Sequence, residues 1–389
     1  MASLKLIVLG CCFLAACQAS APVINTHFAS AVPGEFIVVL KPGSVGLSAS
    51  TPQVTILNSF HINDFRALHV KVDDVQLAAL REDTNVKVIE AETHEFHADC
   101  NSQTSGASIW GLSRTSSRPL PEFTGATYDW TDEDDGSGVN AYVIDTGIYL
   151  GHQDYAGRVS HGFTAPGISE GDDDLNGHGT HCAGTVGGTT YGVAKGVNLI
   201  AVKVLNRAGS GSTTDVVSGV EYVANQHNSG DKTIMNLSLG MTGTSIALNE
   251  ALTAAIAAGA NAAVAAGNSN ADACNYSPAQ VETALTTVAS NNADGLPTFT
   301  NYGTCCDIIA PGNNILSTYI GGPTATASLS GTSMAAPHVA GWVARYLSSQ
   351  SSAPTPAAVK TALQSTATPD VITLGSKVGT PNYLVYAAC

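Results

Sequence analysis

The stretch LIAVKVLNRAGSGSTTDVVSGVEYVANQHNSGDKTIMNLSLG, residues 199–240, alternates between two kinds of apolar segment. Its outer parts, LIAVKVL and KTIMNLSLG, are continuous apolar runs of strand length, whereas DVVSGVEYVANQ between them has helical spacing. Continuous apolar strands that are separated by helices indicate a parallel sheet covered on both faces.

The same alternation extends on both sides of this stretch. VNAYVID (139–145) and NAAVAAGN (261–268) are further apolar strands, and ALNEALTAAIAAG (247–259) is a further helix. The predicted fold class is therefore α/β. Catalytic loops in such sheets gather at the carboxyl ends of the strands, so functional residues are expected there.

Residues 35–96 follow a different pattern. EFIVVLK, DFRALHVKV and VKVIE have the composition of strands, and DDVQLAALRED has acids at its start and apolar residues at helical spacing. These segments predict a small α+β unit. The polar stretch THEFHADCNSQTSGAS (93–108) then has the composition of a linker that proteases can reach.

Composition and the first residues define the expected location. The 389 residues carry a formal net charge of −15 and no basic run, which argues against nucleic acid and anionic membranes as partners. Lys5 precedes an apolar run and then small residues, the pattern of a secretory signal peptide over residues 1–19. The alternative is a lipoprotein signal, LAAC, with Cys17 lipidated. No later segment is long and apolar enough to cross a membrane.

DDDLNGHGTHCAGTVGG, residues 172–188, is rich in groups that carry chemistry. It holds three acids, two histidines three positions apart, and a cysteine beside the second histidine. These residue types bind zinc, and Cys182 next to His181 is also a candidate thiolate. Taken alone, the stretch leaves a metal site, a thiol nucleophile and another catalytic role open.

Three other polar residues stand at strand ends or helix starts. Asp145 ends VNAYVID, Asn268 follows small residues in AAVAAGN, and Ser333 opens the helical pattern of GTSMAAPHVAGWVARYL. Each has a structural alternative, as turn aspartate, loop asparagine or helix cap. A serine at a helix start also lies where backbone amides favour a developing negative charge, and an asparagine amide can stabilise an oxyanion.

The order Asp145, His181, Ser333 is one of the known chain orders of the hydrolytic triad. VIDTGI, NGHGTHCAGTVGG, VAAGNSNADACNYSPA and LSGTSMAAPHVAG, from 143 to 341, resemble the subtilase family of serine proteases, most closely its proteinase K-like branch. The resemblance runs from about Trp110 to at least Leu347. The α+β unit resembles the inhibitory, ferredoxin-like prosegment of the same family.

The resemblance implies a subtilisin-like three-layer fold and a role for each matched residue. Ser333 would be the nucleophile, His181 the general base, and Asp145 the residue that orients the imidazole. Asn268 and the backbone amide of Ser333 would stabilise the oxyanion. Cys182 would then be a buried free thiol, His178 a structural residue, and residues 172–174 a solvated loop.

The resemblance also implies binding sites around this triad. Two substrate-pairing edges and the wall of the primary specificity pocket match Gly209, Ser210, Gly211, Ser238, Leu239, Gly240, Ala265 and Gly267. A structural calcium ion would bind Asp307 and the main-chain carbonyls of Glu282 and Ala284. Cys274 and Cys305 match a disulfide, which secretion permits. Cys100, Cys306 and Cys389 have no assigned partner.

The prediction is a secreted, extracellular serine endopeptidase, expected to be a monomer with no cofactor for catalysis. Its expected organisation is signal peptide (1–19), prosegment (20–100, core 35–96) and peptidase domain (101–389). Its partners would be protein or peptide substrates and its own prosegment, which would act as an inhibitor. The enzyme would remove this prosegment by self-cleavage between residues 97 and 103. The alternative is a secreted regulatory binding protein on the same fold that processes only itself.

Overall fold

The computed structural model describes residues 20–24, 26, 31–93 and 100–388. The chain divides into two compact units, Met1–His97 and Ala98–Cys389. The predicted signal peptide lies outside the described residues. Within the described part of the chain, no helix combines the length and the apolar character that crossing a membrane requires.

The first unit is one sheet with one helix among its described residues. Its elements are β1 (Val23–Ile24), β2 (Ala31–Leu40), β3 (Thr55–Ile62), β4 (Phe65–Lys71), α1 (Asp74–Glu82) and β5 (Val86–Thr93). The sheet order is β1-β5-β2-β4-β3, and only β1 and β5 pair in parallel. The predicted strands and helix are all present.

Helix α1 begins where its sequence predicts. Asp73 caps it by accepting from the amide of Gln76, whose side chain accepts from the Asp73 amide in return. Leu80 on its buried face joins the core of this unit with Phe36, Val38 and Ile89. Burying this apolar face stabilises the helix more than its intrinsic propensity does.

The second unit holds the remaining elements. Its strands are β6 (Asn101–Thr104), β7 (Thr127–Trp130), β8 (Asn140–Asp145), β9 (Val159–Thr164), β10 (Asn198–Lys203), β11 (Thr233–Leu237), β12 (Met241–Thr242), β13 (Asn261–Ala265), β14 (Tyr276–Ser277), β15 (Leu285–Ser290), β16 (Ile308–Pro311), β17 (Ile315–Thr318), β18 (Thr326–Leu329), β19 (Thr368–Pro369) and β20 (Tyr383–Leu384). Its helices are α2 (Trp110–Thr115), α3 (His178–Gly187), α4 (Thr213–Gln226), α5 (Ile246–Ala257), α6 (Thr332–Ser349) and α7 (Pro356–Thr366).

A nine-stranded sheet forms the centre of this unit, in the order β19-β20-β16-β15-β13-β11-β8-β10-β9. Every neighbouring pair from β20 to β9 is parallel, and only β19 and β20 pair antiparallel. The predicted parallel sheet is confirmed.

Alternate residues of β8 face opposite layers of helices. Ala141 and Val143 belong to the core that contains residues of α3 and α6, whereas Tyr142 and Ile144 belong to the core beneath α4 and α5. Both faces of the strand are therefore apolar, which explains its continuous hydrophobic run. The result is the three-layer α/β architecture that the sequence predicts.

The carboxyl ends of the central strands bring polar residues to one edge of the sheet. Strand β8 pairs with β10 on one side and with β11 on the other. Asp145 ends β8, Ser238 follows β11, and Asn268 lies just beyond β13. Ligand sites in parallel α/β sheets form at such edges.

Candidate active site

Asp145 and His178 form a hydrogen-bonded pair at the end of β8. His178 Nδ1 lies 2.8 Å from Asp145 Oδ1 and 3.0 Å from Oδ2. The Asp145 side chain is fully buried, and that of His178 is 27% exposed. Burial acts to lower the pKa of His178, but the Asp145 carboxylate and the Cys182 thiol together outweigh burial and raise that pKa well above its ordinary value.

Glycines allow the start of α3 to approach the turn that follows Asp145. Gly177 precedes the helix with a φ of 102°, a conformation that L side chains rarely adopt. A Cβ on Gly179 would lie 2.2 Å from the carbonyl oxygen of Gly147, so the backbone contact requires glycine there. His178 is the first residue of the helix, and its ring meets Asp145 at the strand end.

His181 has different surroundings, although it lies on the same helix. It is fully buried, and its Nε2 lies 2.9 Å from the carbonyl oxygen of Ile315 and 3.1 Å from that of Ala327. Burial lowers its pKa to about 4, so the ring is neutral and donates from Nε2. The sequence-based choice of His181 as the partner of Asp145 is therefore corrected to His178.

Asp174 organises the segment between Asp145 and His178. Its Oδ1 accepts hydrogen bonds from Thr146 Oγ1 and from the amides of Asn176 and Gly177, at 2.9 to 3.0 Å. Its Oδ2 accepts from the amide and the hydroxyl of Thr180, at 3.0 and 2.6 Å. The prediction of a solvated loop holds for the exposed residues 172 and 173 and is wrong for Asp174, which is buried.

Ser333 lies at the second position of α6, and one neighbour connects it to His178. Cys182 Sγ lies 4.0 Å from His178 Nδ1 and 3.4 Å from the carbonyl oxygen of Ser333. The Ser333 hydroxyl donates to the carbonyl oxygen of Ser238 across 3.1 Å. The structure thus brings Asp145, His178 and Ser333 together around one thiol.

The thiol of Cys182 is itself unsuited to attack a substrate. It is fully buried, and burial raises its pKa above the ordinary value for cysteine. A nucleophilic cysteine needs a low pKa and access to solvent. The candidate nucleophile that solvent can reach is the partly exposed hydroxyl of Ser333.

Asn268 is fixed through its side-chain oxygen. Oδ1 accepts from the amide of Thr332 across 2.8 Å and from the Thr332 hydroxyl across 3.0 Å. Its Nδ2 donates to no group in the described part of the chain, and it lies beside Gly331 at the start of α6. The first amides of a helix have no intrahelical acceptor, so the backbone amide of Ser333 is available to an anion. Asn268 Nδ2 is available as well.

Two cavities flank His178 and Ser333. The larger, about 400 Å³, is lined by His178, Gly209, Ser210, Gly211, Ser238, Leu239 and Gly240, and by the apolar side chains of Leu205, Val216, Met241 and Leu248. The smaller, about 190 Å³, is lined by Ser333, Asn268, Leu239, Gly240, Ala265 and Gly267. All eight predicted substrate-contacting residues therefore line one of these two cavities.

The smaller cavity carries no charged residue in its lining. Gly267 has a φ of 105°, and a Cβ there would lie 2.3 Å from Asn301 Nδ2. A side chain at this position is therefore excluded both by backbone strain and by a clash, and the cavity remains open beside Asn268.

The cysteines of the second unit take several states. Cys274 and Cys305 form a disulfide, with their Cα atoms 5.3 Å apart. Cys100 is also disulfide-bonded. Cys182 and Cys306 are buried free thiols. Cys389 lies outside the described residues.

The predicted calcium ligands do converge, but on an ammonium group. Lys360 Nζ lies 2.7 Å from Asp307 Oδ1, 2.6 Å from the carbonyl oxygen of Glu282 and 3.2 Å from that of Ala284. A calcium ion needs the same oxygens at 2.3–2.6 Å. These residues therefore do not fit the ion while Lys360 is in place, and the calcium prediction is corrected.

Sequence reasoning missed His178, Asp174 and Lys360. Gly177 marks the helix start and so places His178 at the first helical position, but the sequence does not indicate which of the two histidines meets Asp145. Asp174 could have been found as the last of three acids before the Asn-Gly turn, where a carboxylate can accept backbone amides. No local signal identifies Lys360, because its partners come from other segments of the chain.

Comparison with known proteins identifies the family. A profile described as the Subtilase family matches residues 136–383, which is more than half of the chain. The chain belongs to the subtilase family. This subtilase is thus a serine protease that acts on protein substrates, and the family needs no cofactor for catalysis.

Similar proteins align with most of the length of this subtilase. An extracellular serine proteinase of Thermus sp. (strain Rt41A) is 41% identical, and the match covers 98% of both sequences. The subtilisin-like serine protease Rho m 2.0101 of Rhodotorula mucilaginosa is 48% identical over 71% of this chain and 85% of its own length. A solved cold-adapted subtilisin-like serine proteinase matches with 43% identity and a TM-score of 0.66, over 72% of this chain and 99% of that structure.

Proposed function

We propose that this subtilase is a secreted endopeptidase that cleaves peptide bonds through an acyl-enzyme on Ser333. The observation that carries the proposal is the Asp145–His178 pair, joined through Cys182 to the start of the helix that holds Ser333. Nucleophile, base and orienting carboxylate are the three groups that acyl transfer by a serine requires.

In the proposed reaction, neutral His178 accepts the proton of the Ser333 hydroxyl as the oxygen attacks the scissile carbonyl. The imidazolium then returns the proton to the leaving amine. Water, deprotonated by the same ring, hydrolyses the acyl-enzyme. Asp145 fixes the ring through Nδ1, which leaves Nε2 for the proton transfers.

The oxyanion of the tetrahedral intermediate would accept from Asn268 Nδ2 and from the amide of Ser333. Asn268 is suited to this role because two hydrogen bonds from Thr332 already hold its carbonyl oxygen. Donors held in place before the reaction need no reorganisation as charge develops.

An extended substrate would pair with the backbone of Gly209–Gly211 on one side and Ser238–Gly240 on the other. The uncharged cavity beside Asn268 suits an apolar or aromatic side chain before the cleaved bond. The apolar part of the larger cavity suits a second apolar side chain of the substrate.

The first unit is proposed to be an inhibitory prosegment that the enzyme removes itself. Its compact sheet, separate from the unit that holds the triad, and the extracellular relative that matches along nearly the whole chain support this organisation. The mature enzyme would be an extracellular monomer.

Labelling with a fluorophosphonate, followed by mass spectrometry, tests the proposed nucleophile. An adduct on Ser333 is expected, together with loss of activity on casein. An adduct elsewhere, or none, would refute the mechanism. If Ser333 is labelled but the mature protein leaves casein intact, the chain is instead a binding protein on a protease fold that processes only itself.

A further inference from the structure

Three oxygens from separate segments surround the ammonium of Lys360, which lies on α7. They are Asp307 Oδ1 and the main-chain carbonyl oxygens of Glu282 and Ala284, at 2.7, 2.6 and 3.2 Å. An ammonium has three N–H donors, and all three have an acceptor here.

The protein holds these oxygens in place by contacts that do not involve Lys360. Asp307 Oδ2 accepts from the amide of Thr286 across 2.9 Å, and the Asp307 amide donates to the Thr286 carbonyl across 2.9 Å. The amide of Ala284 donates to the carbonyl of Val281 in the turn before β15. The oxygen set is thus built by the ends of β15 and β16, with the lysine added from a helix.

The Asp307 carboxylate is buried enough to require a cation beside it. The side chains of Asp307 and Lys360 are 13% and 22% exposed. Burial raises the pKa of Asp307 above its ordinary value, while the Lys360 ammonium acts in the opposite direction. A carboxylate withdrawn from water beside two carbonyl oxygens is costly unless a positive charge lies among them.

We propose that the Lys360 ammonium is the resident cation of this oxygen site, and that the site takes a calcium ion only when the ammonium is removed. The two cations exclude each other, because calcium needs contact with the same oxygens. A covalently attached cation has a further consequence: chelators cannot extract it. The site lies between α7 and the ends of β15 and β16, and its occupant does not depend on which residues carry out catalysis.

The test uses mature enzyme whose nucleophile is blocked with phenylmethylsulfonyl fluoride, so that self-digestion does not interfere. Melting temperatures of wild type and Lys360→Ala are measured in EDTA, in about 10 mM MgCl2 and in about 10 mM CaCl2, a concentration above the usual dissociation constants of extracellular calcium sites. Lys360→Gln, whose side chain is one atom shorter and keeps two N–H donors without the charge, replaces the alanine variant if that variant does not accumulate.

Lys232→Ala is the matched control. Its ammonium also donates to two main-chain carbonyls, those of Ser348 and Gln350, and it has no ion pair among the described residues. Both lysine variants should melt below wild type in EDTA. Calcium, and not magnesium, should then raise the melting temperature of Lys360→Ala by about 3 to 6 °C more than that of Lys232→Ala.

Adding Asp307→Asn to Lys360→Ala should abolish that gain, because the site loses its charged ligand. Two results would overturn the proposal. One is a calcium response of Lys360→Ala no larger than that of Lys232→Ala. The other is a calcium response of the wild type that Asp307→Asn removes, since calcium would then displace the ammonium.

Discussion

His178 Nδ1 lies 2.8 Å from Asp145 Oδ1, whereas His181, three residues further along the same helix, bonds through Nε2 to the carbonyl oxygen of Ile315. The two histidines of one short motif therefore have separate tasks. The first is paired with a buried carboxylate beside the cavities, and the second is enclosed by the backbone of β17 and β18.

Substituting His178 and His181 one at a time distinguishes the catalytic histidine from the structural one. His178→Ala should lower kcat on a peptide substrate by about 10⁶-fold, the loss that subtilisin suffers without its histidine. His181→Gln should keep kcat within about tenfold of wild type, because the amide of glutamine can still donate to a carbonyl. Steady-state kinetics at alkaline pH measure both, with circular dichroism to show that each variant is folded. The opposite ranking would restore His181 as the base.

The pH dependence of kcat/KM should report the ionisation of His178 in its pair with Asp145. His178 acts as a base only when neutral. Burial lowers its pKa, but the Asp145 carboxylate and the Cys182 thiol together raise that pKa well above the ordinary value. Activity should therefore rise with pH through a midpoint above 6.5. Asp145→Asn removes the charge, so the midpoint should move to lower pH while kcat falls by about 10⁴-fold. A midpoint that does not move would mean that another group controls the profile.

His181 should make the protein sensitive to acid. Its pKa is lowered to about 4 in the folded state, against an ordinary value of 6.5. Between these values the unfolded chain binds a proton that the folded chain does not, so stability falls as pH drops from about 6.5 to 4. This contribution is on the order of 3 kcal/mol.

Glutamine does not titrate in this range. The free energy of unfolding of His181→Gln, relative to wild type, should therefore improve as pH falls from about 6.5 to 4. Urea unfolding of the inhibited enzyme at several pH values measures this difference. Parallel pH curves for the two proteins would show that protonation of His181 does not destabilise the fold.

The fold could be predicted because its signals are local. The strands around Asp145 and Met235 are apolar on both faces, and the helices between them have a clear period. Strand β3 was missed because all its residues are exposed, so no alternation marks it. The choice between two histidines three positions apart depends on where a helix begins, and chain order alone cannot settle it. Lys360 meets Asp307 only in the folded chain.

Asp174 is predicted to position His178 rather than to act on substrate. Its carboxylate links Thr146, beside Asp145, to the amides at the start of α3. Asp174→Asn replaces an acceptor oxygen with an amide donor and breaks one side of this link. A displacement of about 1 Å costs on the order of 10²-fold in rate, so kcat should fall by about that factor.

A purely structural role of Asp174 would not alter the titration of His178. Loosening the Asp145 contact should lower the midpoint of the kcat/KM profile in Asp174→Asn. Asp173→Asn is the matched control, because Asp173 is exposed and adjacent in sequence. An unchanged midpoint in both variants would leave Asp174 as a stabilising residue only.

The proposed removal of the first unit is a reaction of the enzyme on itself. Ser333→Ala should accumulate as a signal-cleaved chain that still contains both units, because self-cleavage needs the nucleophile. The expected window of 97–103 can also be narrowed. Residues 101–103 belong to β6 and pair with Trp130, Asp129 and Tyr128 of β7, so their backbone is held in a sheet and resists cleavage. The mature amino terminus of the wild type should therefore lie at or before Cys100, as terminal sequencing can establish. A Ser333→Ala protein secreted with that same mature terminus would show that another protease removes the first unit.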